Sequence, residues 1–246
     1  MKKAARNKAL AHALAEMPKE ACGLVVVVKG RERYIPCKNL APNASDMFIL
    51  DPEDYAAAEN LGEITAVFHS HPKTAAAPSE ADRIACESSG LPWVICNPVV
   101  NTWAELAPCG FKAPLVGREY TWGVADCWSL VRDWYIENNI LLPDWPRPAD
   151  PREFERNPIF DECWAAAGFS LIDEEEELKR GDALLMRINS KGLDHCAVYI
   201  GDSMILHHLA GRLSSRDIYG GGGWYEVITG KRLRHYNWMK LQVGQA

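Results

Sequence analysis

The sequence predicts two domains, a mixed α/β unit followed by an α+β unit, and three observations carry that expectation. The chain has 246 residues, and at about 100–200 residues per domain this allows one large or two ordinary domains. Residues 20–109 alternate short β-rich runs with helical stretches, whereas the second half has one helix followed by a run of strands, the ordering of an α+β architecture. Between them APCGFKAPLVGRE, residues 107–119, is rich in Pro and Gly and lacks either periodicity. That stretch sets a boundary near residue 113 and two units, 1–112 and 113–246.

Composition bounds what such units can be. Hydrophobic residues make up 48% and charged residues 24%, close to the globular average, which argues against disorder, a collagen-like chain or a disulfide-rich miniprotein. The net charge of -6 argues against a general nucleic-acid binder. The eight cysteines form no CxxC pair, which counts against a zinc ribbon or a redox dithiol, and the expectation is reduced thiols in a cytosolic compartment.

The elements follow in order. Met-Lys-Lys and an alanine-rich start resemble a secretory signal superficially, but Asn7, Lys8, His12, Glu16 and Lys19 interrupt any apolar core. Leu10, Ala13, Leu14 and Met17 instead recur at the spacing of one helical face, and the helix should end before Pro18. No stretch reaches the roughly 18–20 apolar residues of a membrane span, so the product is expected to be soluble, without a signal peptide. GLVVVV at 23–28 and ITAVFH within 61–69 read as strands; SEADRIACESS, capped by Ser79, reads as a helix; PWVICNP and VVNTWAELAP read as two more strands. In the second unit DCWSLVRDWYIENN, residues 126–139, has helical spacing, while DALLMRI, HCAVYIG and MILHHLA read as antiparallel strands. EEEE at 174–177 reads as a solvated surface run.

Two groups of residues carry chemistry. In HSHPKTAAAPSEAD, residues 69–82, His69 and His71 share one face at the end of a strand because side chains two apart point the same way. Asp82 lies in the first turn of the following helix and can add a carboxylate. Two imidazoles and one carboxylate leave a fourth tetrahedral position open, the arrangement of a catalytic zinc. Such a site needs a free carboxylate to carry protons, for which Glu20 is the candidate, and Ser79 is placed to donate to a developing oxyanion. The ordinary alternative is a surface turn with Glu20 and Asp82 solvated.

Glu20, His69-x-His71-Pro72, Ser79 and Asp82 together resemble the JAMM metalloprotease motif. That resemblance implies a cytidine-deaminase-like fold for residues 1–112, one zinc held by His69, His71 and Asp82, Glu20 as general acid/base and Ser79 stabilising the tetrahedral intermediate. The substrates it implies are isopeptide or peptide bonds.

The second group centres on Cys127, which follows Asp126 at a helix start, where the positive end of the macrodipole favours the thiolate. His195 and His207 flank a tight turn at Gly201-Asp202-Ser203, so that they can approach across a hairpin; His208 alternates to the other face. Cys196 and Cys163 read as core residues. The elements YTWGVADCWSL, RGDALL, HCAVYIGD and ILHH resemble NlpC-type cell-wall cysteine peptidases. The resemblance implies a papain-like fold for residues 113–246, with Cys127 as nucleophile, His195 as base, His207 as the orienting residue and Tyr120 as an active-site hydrogen-bonder. The Ser-Gly usual after Asp-Cys is Trp128-Ser129 here, a departure that bears on the substrate pocket.

A JAMM-like unit ahead of an NlpC-like unit is similar to the tail-tip assembly proteins of lambda-like tailed phages. This similarity implies other tail-tip proteins as partners, peptidoglycan peptide stems as a substrate, and action in the host cytoplasm during assembly or at the virion tail tip. Two other readings stand beside it: an assembly scaffold whose catalysis is vestigial, and a cellular protease of ubiquitin-like or sulfur-carrier tails.

Overall fold

A computed structural model describes residues 1–153, 159–188 and 190–238. The chain forms two compact units, Met1–Lys112 and Ala113–Ala246.

The first unit runs α1 (Lys3–Glu16), β1 (Cys22–Val28), β2 (Arg31–Cys37), α2 (Pro52–Leu61), β3 (Glu63–Ser70), α3 (Glu80–Ser89), β4 (Trp93–Asn97) and β5 (Thr102–Leu106). Its sheet has the order β2-β1-β3-β4-β5. All pairs are antiparallel except β3 and β4, which run parallel and are therefore joined by a crossover helix, α3. α1 ends before Pro18 as its sequence requires, but the face it buries differs from the expected one. Ala5, Ala9 and Ala13 are buried, while Leu14 is 50% and Met17 41% exposed. The alanine stripe lets the helix backbone approach the sheet, where Ala9 and Ala13 join Val25, Tyr34 and Phe68 in one core. The Leu10–Leu14–Met17 spacing is real helical periodicity whose stripe lies off the contact line. β2 and α2 carry no clear periodicity in the sequence: β2, an edge strand, runs from three charged residues (Arg31, Glu32, Arg33) into Tyr34, Ile35, Pro36 and Cys37, and α2 is capped by Asp51, which accepts from the Glu53 amide at 2.9 Å.

The second unit runs α4 (Cys127–Glu137), a short 3-10 turn at Pro151–Glu153, α5 (Ile159–Glu162), β6 (Phe169–Leu171), β7 (Ala183–Met186), β8 (His195–Gly201), β9 (Met204–His207), β10 (Ser215–Ile218), α6 (Trp224–Val227) and β11 (Thr229–His235). Among the described residues its strands form one antiparallel sheet, β10-β9-β8-β7-β11-β6. Alternation sorts the strand residues onto two faces. Leu185, Cys196, Val198 and Leu206 pack with α4 residues Leu130, Val131 and Trp134, whereas Leu184, Met186, Ala197 and Ile205 pack with Tyr219 on the other side. The β8–β9 hairpin turns through Asp202 and Ser203, both at positive φ (51° and 54°), as a two-residue type I′ turn requires. The EEEE run is exposed but tethered: Arg234 pairs with Glu176, and Arg232 donates to the Glu174 carbonyl at 2.7 Å.

Candidate functional site

In the first unit the crossover brings the candidate ligands together. The loop from β3 to α3 leaves at the carboxyl end of β3, where open sheets with parallel strands form their crevices. His69 is on β3; His71 lies just past its end, and its amide donates to the Cys96 carbonyl at 2.8 Å, prolonging the sheet. Asp82 is held in the first turn of α3 by a capping box with Ser79. His69 Nε2 lies 2.9 Å from His71 Nε2 and 3.1 Å from Asp82 Oδ1, and His71 Nε2 lies 3.5 Å from Asp82 Oδ2. All three residues are buried.

These donors suit a tetrahedral cation. Ligand atoms about 2.0–2.1 Å from zinc stand about 3.3–3.4 Å apart at the tetrahedral angle, and the 2.9 Å between the two Nε2 atoms and the 3.1 Å from His69 Nε2 to Asp82 Oδ1 fall a few tenths of an ångström short of that value. His71 Nδ1 contacts the Ala75 carbonyl at 3.0 Å; a carbonyl only accepts, so Nδ1 carries the hydrogen and Nε2 presents its lone pair. Asp82 Oδ2 accepts from the Ser79 amide and hydroxyl, both at 2.7 Å, which leaves Oδ1 for a ligand. The His69 ring is stacked on Phe48 at 4.7 Å and meets Trp93 edge-on at 5.4 Å. Its Nδ1 is buried without a hydrogen-bond partner among the described residues.

Glu20 precedes β1. The β1–β3 register pairs Cys22 with His69, and continuing it by two residues sets Glu20 opposite His71, the closest kind of cross-strand neighbour. Glu20 is 7% exposed. Burial pushes its carboxyl up to about 7, with His71 pulling the other way and Asp82 adding to the rise. Burial also works against the Asp82 anion, but hydrogen bonds from His69, His71 and Ser79 outweigh it and hold that carboxyl well below the usual range. Asn39, which drew no notice in the sequence, organises the loop carrying Phe48: its side chain donates to the Glu20 and Met47 carbonyls and accepts from the Ala41 and Ile49 amides.

In the second unit Cys127 is the first residue of α4. Asp126 caps the helix, accepting from the Ser129 amide at 2.9 Å. His195, at the start of β8, hydrogen-bonds Cys127, and its Nε2 lies 3.1 Å from His207 Nδ1. The thiol pKa is drawn well below its usual value. The Cys196 thiol contributes most by hydrogen bonding; burial opposes; His195 then adds a hydrogen bond and its charge. Cys196 is buried as expected, yet it is more than filler, because alternation along β8 turns it away from His195 and toward α4, beside Cys127. Tyr120 is raised by burial and next by the nearby Cys127, and its ring meets His208 edge-on at 5.1 Å.

Two further groups of the site are not marked by the sequence. Arg147 is buried and donates to both Asp126 oxygens at 2.9 Å, neutralising the carboxylate next to the thiol. Asp217 on β10 lies 3.0 Å from His207 Nε2. Neither has a local signal, since Asp217 lies 10 positions from His207 and Arg147 lies 21 from Asp126. Of the five tryptophans between 122 and 164, Trp128 and Trp134 are core, and Trp128, stacked on Trp145 at 4.8 Å, borders with Trp122 and Trp145 a small cavity of about 10 Å³ beside Cys127.

Comparison with known proteins covers both units. Residues 2–107 match the family of prokaryotic homologs of the JAB domain, and residues 117–232 match the NlpC/P60 family. The chain is 36% identical over 233 residues to tail tip assembly protein K of Escherichia phage N15, spanning 92% of each chain. It is 34% identical over 171 residues to tail tip assembly protein K of Escherichia phage lambda, spanning 69% of this chain and 82% of that one. A probable TtuB-protein conjugate cleaving protease of Thermus thermophilus is 39% identical over 77 residues, 29% of this chain and 52% of that protein.

Proposed function

The chain belongs to the family of phage tail tip assembly protein K, with a JAB-type unit ahead of an NlpC/P60 unit, and we propose that it acts in tail assembly through two separate peptidase sites. The observation that carries this reading is the placement of Cys127 at the start of α4 together with the 3.1 Å contact between His195 Nε2 and His207 Nδ1, with His195 near enough to Cys127 to lower its thiol pKa.

In the second unit Cys127 is the nucleophile and His195 the base. The proton leaves Sγ for the imidazole, the sulfur attacks a peptide carbonyl, and the imidazolium protonates the departing amine. Water then hydrolyses the thioester. His207 orients His195, and the Tyr120 hydroxyl hydrogen-bonds within the site. The substrate class is the peptide stem of peptidoglycan, which the NlpC/P60 match supports.

In the first unit His69, His71 and Asp82 Oδ1 would hold one zinc. When bound, the ion supplies Lewis-acid activation of water and of a carbonyl oxygen. Glu20, buried and with a carboxyl raised to about 7, takes a proton near neutral pH and passes it to the leaving amine. Ser79 orients Asp82 through its hydroxyl, and serving an oxyanion requires that hydroxyl to rotate away. The local similarity to a conjugate-cleaving protease supports an isopeptide or peptide bond as the substrate of this unit. Partners are other tail-tip proteins, met in the host cytoplasm during assembly or at the virion tail tip. Among the described residues no helix is long and apolar enough to cross a membrane.

Two measurements test the proposal. Purified protein binds about one zinc per chain and His69→Ala loses it; a wild type that binds none sinks the metal site. Digestion of purified peptidoglycan releases peptide fragments with wild type and none with Cys127→Ala, and equal release by both removes the cysteine mechanism.

A further inference from the structure

The thiol site continues past His207. On β10, Ser215 pairs directly with His207 and Asp217 lies two residues further on the same face. Asp217 Oδ2 is 3.0 Å from His207 Nε2 and accepts from the Tyr225 hydroxyl at 2.7 Å, while Tyr225 also meets the His207 ring edge-on at 4.9 Å.

A neutral imidazole has one donor and one acceptor nitrogen, so fixing one contact fixes the other. A carboxylate only accepts. The hydrogen between Asp217 and His207 therefore belongs to His207 Nε2, and His207 Nδ1 is an acceptor. The 3.1 Å contact between the rings then takes its hydrogen from His195 Nε2. His195 Nδ1 is left with its lone pair, as the nitrogen available to the Cys127 thiol.

We propose that Asp217 is a positioning residue of the thiol site, setting the tautomer of His207 and, through it, of His195, with Tyr225 holding the carboxylate in place. This rests on the reading of Cys127 as the nucleophile. In the step it prepares, the S–H bond breaks, an N–H bond forms at His195 Nδ1, and the electron pair remains on sulfur. The groups facing His207 are His195, Asp217, the Tyr225 ring and, through its 3.8 Å contact with Asp217, Arg212. Burial first, then the His195 charge, pushes His207 down to about 4, so it stays a neutral relay between the base and the carboxylate.

The experiment uses the full chain with Asp217→Asn, Asp217→Glu and Tyr225→Phe. Two readouts are taken: the pH profile of Cys127 alkylation by iodoacetamide, resolved by peptide mapping, and kcat and KM on purified peptidoglycan peptides. Loss of an orienting carboxylate from a histidine base costs up to about 10⁴-fold in kcat. Asp217→Asn is expected to lower kcat by at least about 10²-fold at nearly unchanged KM and to move the thiolate titration to higher pH. Asp217→Glu recovers part of both, and Tyr225→Phe shows a smaller shift in the same direction. An Asp217→Asn protein with wild-type kcat and alkylation profile overturns the inference. Histidine ring nitrogen NMR on the wild type tests it without any variant: an Nδ1–H tautomer at His207 overturns it. Wild type that cleaves no peptide, combined with the expected alkylation shift, fails the peptidoglycan reading and leaves Asp217 in its role.

Discussion

Cys127 illustrates how single contacts set reactivity. A thiol in an apolar core is ordinarily inert, and Cys22, Cys37 and Cys96 behave so, their pKa values pushed up by burial. Cys127 is as buried as they are, yet Cys196 and His195 pull its pKa down. With a depressed pKa the thiolate is present at neutral pH and is lost as pH falls through the lowered value. Iodoacetamide should therefore label Cys127 faster than those three cysteines at pH 7, with a titration midpoint below the roughly 8.5 of a free thiol; uniform labelling by peptide mapping counts against a primed thiolate. Arg147 protects this arrangement. Its guanidinium and the Asp126 carboxylate are 6% and 1% exposed, so Arg147→Gln leaves a buried carboxylate without its counter-charge. The expected result is a loss of about 3–5 kcal/mol in denaturant unfolding and slower labelling of Cys127 at pH 7, because the Asp126 charge then opposes the thiolate without compensation.

At the scale of elements, two helix starts and one crossover build both sites. α3 begins at a capping box whose Asp82 doubles as a candidate ligand, and α4 begins at another whose second residue along is the thiol. Helix starts are legible from short polar patterns such as Ser79-x-x-Asp82, and α3 and α4 begin where such patterns stand. α1 marks where local pattern is not enough. Its buried stripe is alanine, chosen by how closely the sheet is approached, and the leucines lie outside it. Ala9→Leu should lower stability by about 1–3 kcal/mol through overpacking, whereas Leu14→Ala should change it by less than about 0.5 kcal/mol as an exposed substitution. Thermal or denaturant unfolding of the two variants distinguishes this arrangement from one in which Leu14 is core.

For the whole molecule, the two sites lie in separate compact units with unlike chemistry, so their losses should be separable. His69→Ala is expected to abolish zinc binding and leave release of peptidoglycan fragments by Cys127 unchanged. Cys127→Ala should do the reverse. Complementation of a phage lacking this protein with Cys127→Ala and with Glu20→Gln measures what each site contributes to infectious tails; normal titres with both variants would assign the essential role to assembly alone.

What the sequence determined by itself was the order of the two units, the strands and helices that carry the candidate residues, and those residues whose geometry is local. His69 and His71 share a face because strand side chains alternate, and Asp82 and Cys127 stand at helix starts marked by their own neighbours. Only the tertiary structure decided which partners surround them. Phe48 and Trp93 against His69, Cys196 and Arg147 around Cys127, and Asp217 behind His207 all come from chain closure over long separations. Local periodicity fixes where a side chain points along its own element, but which groups meet across elements depends on sheet order and register, and these arise only when the elements pack.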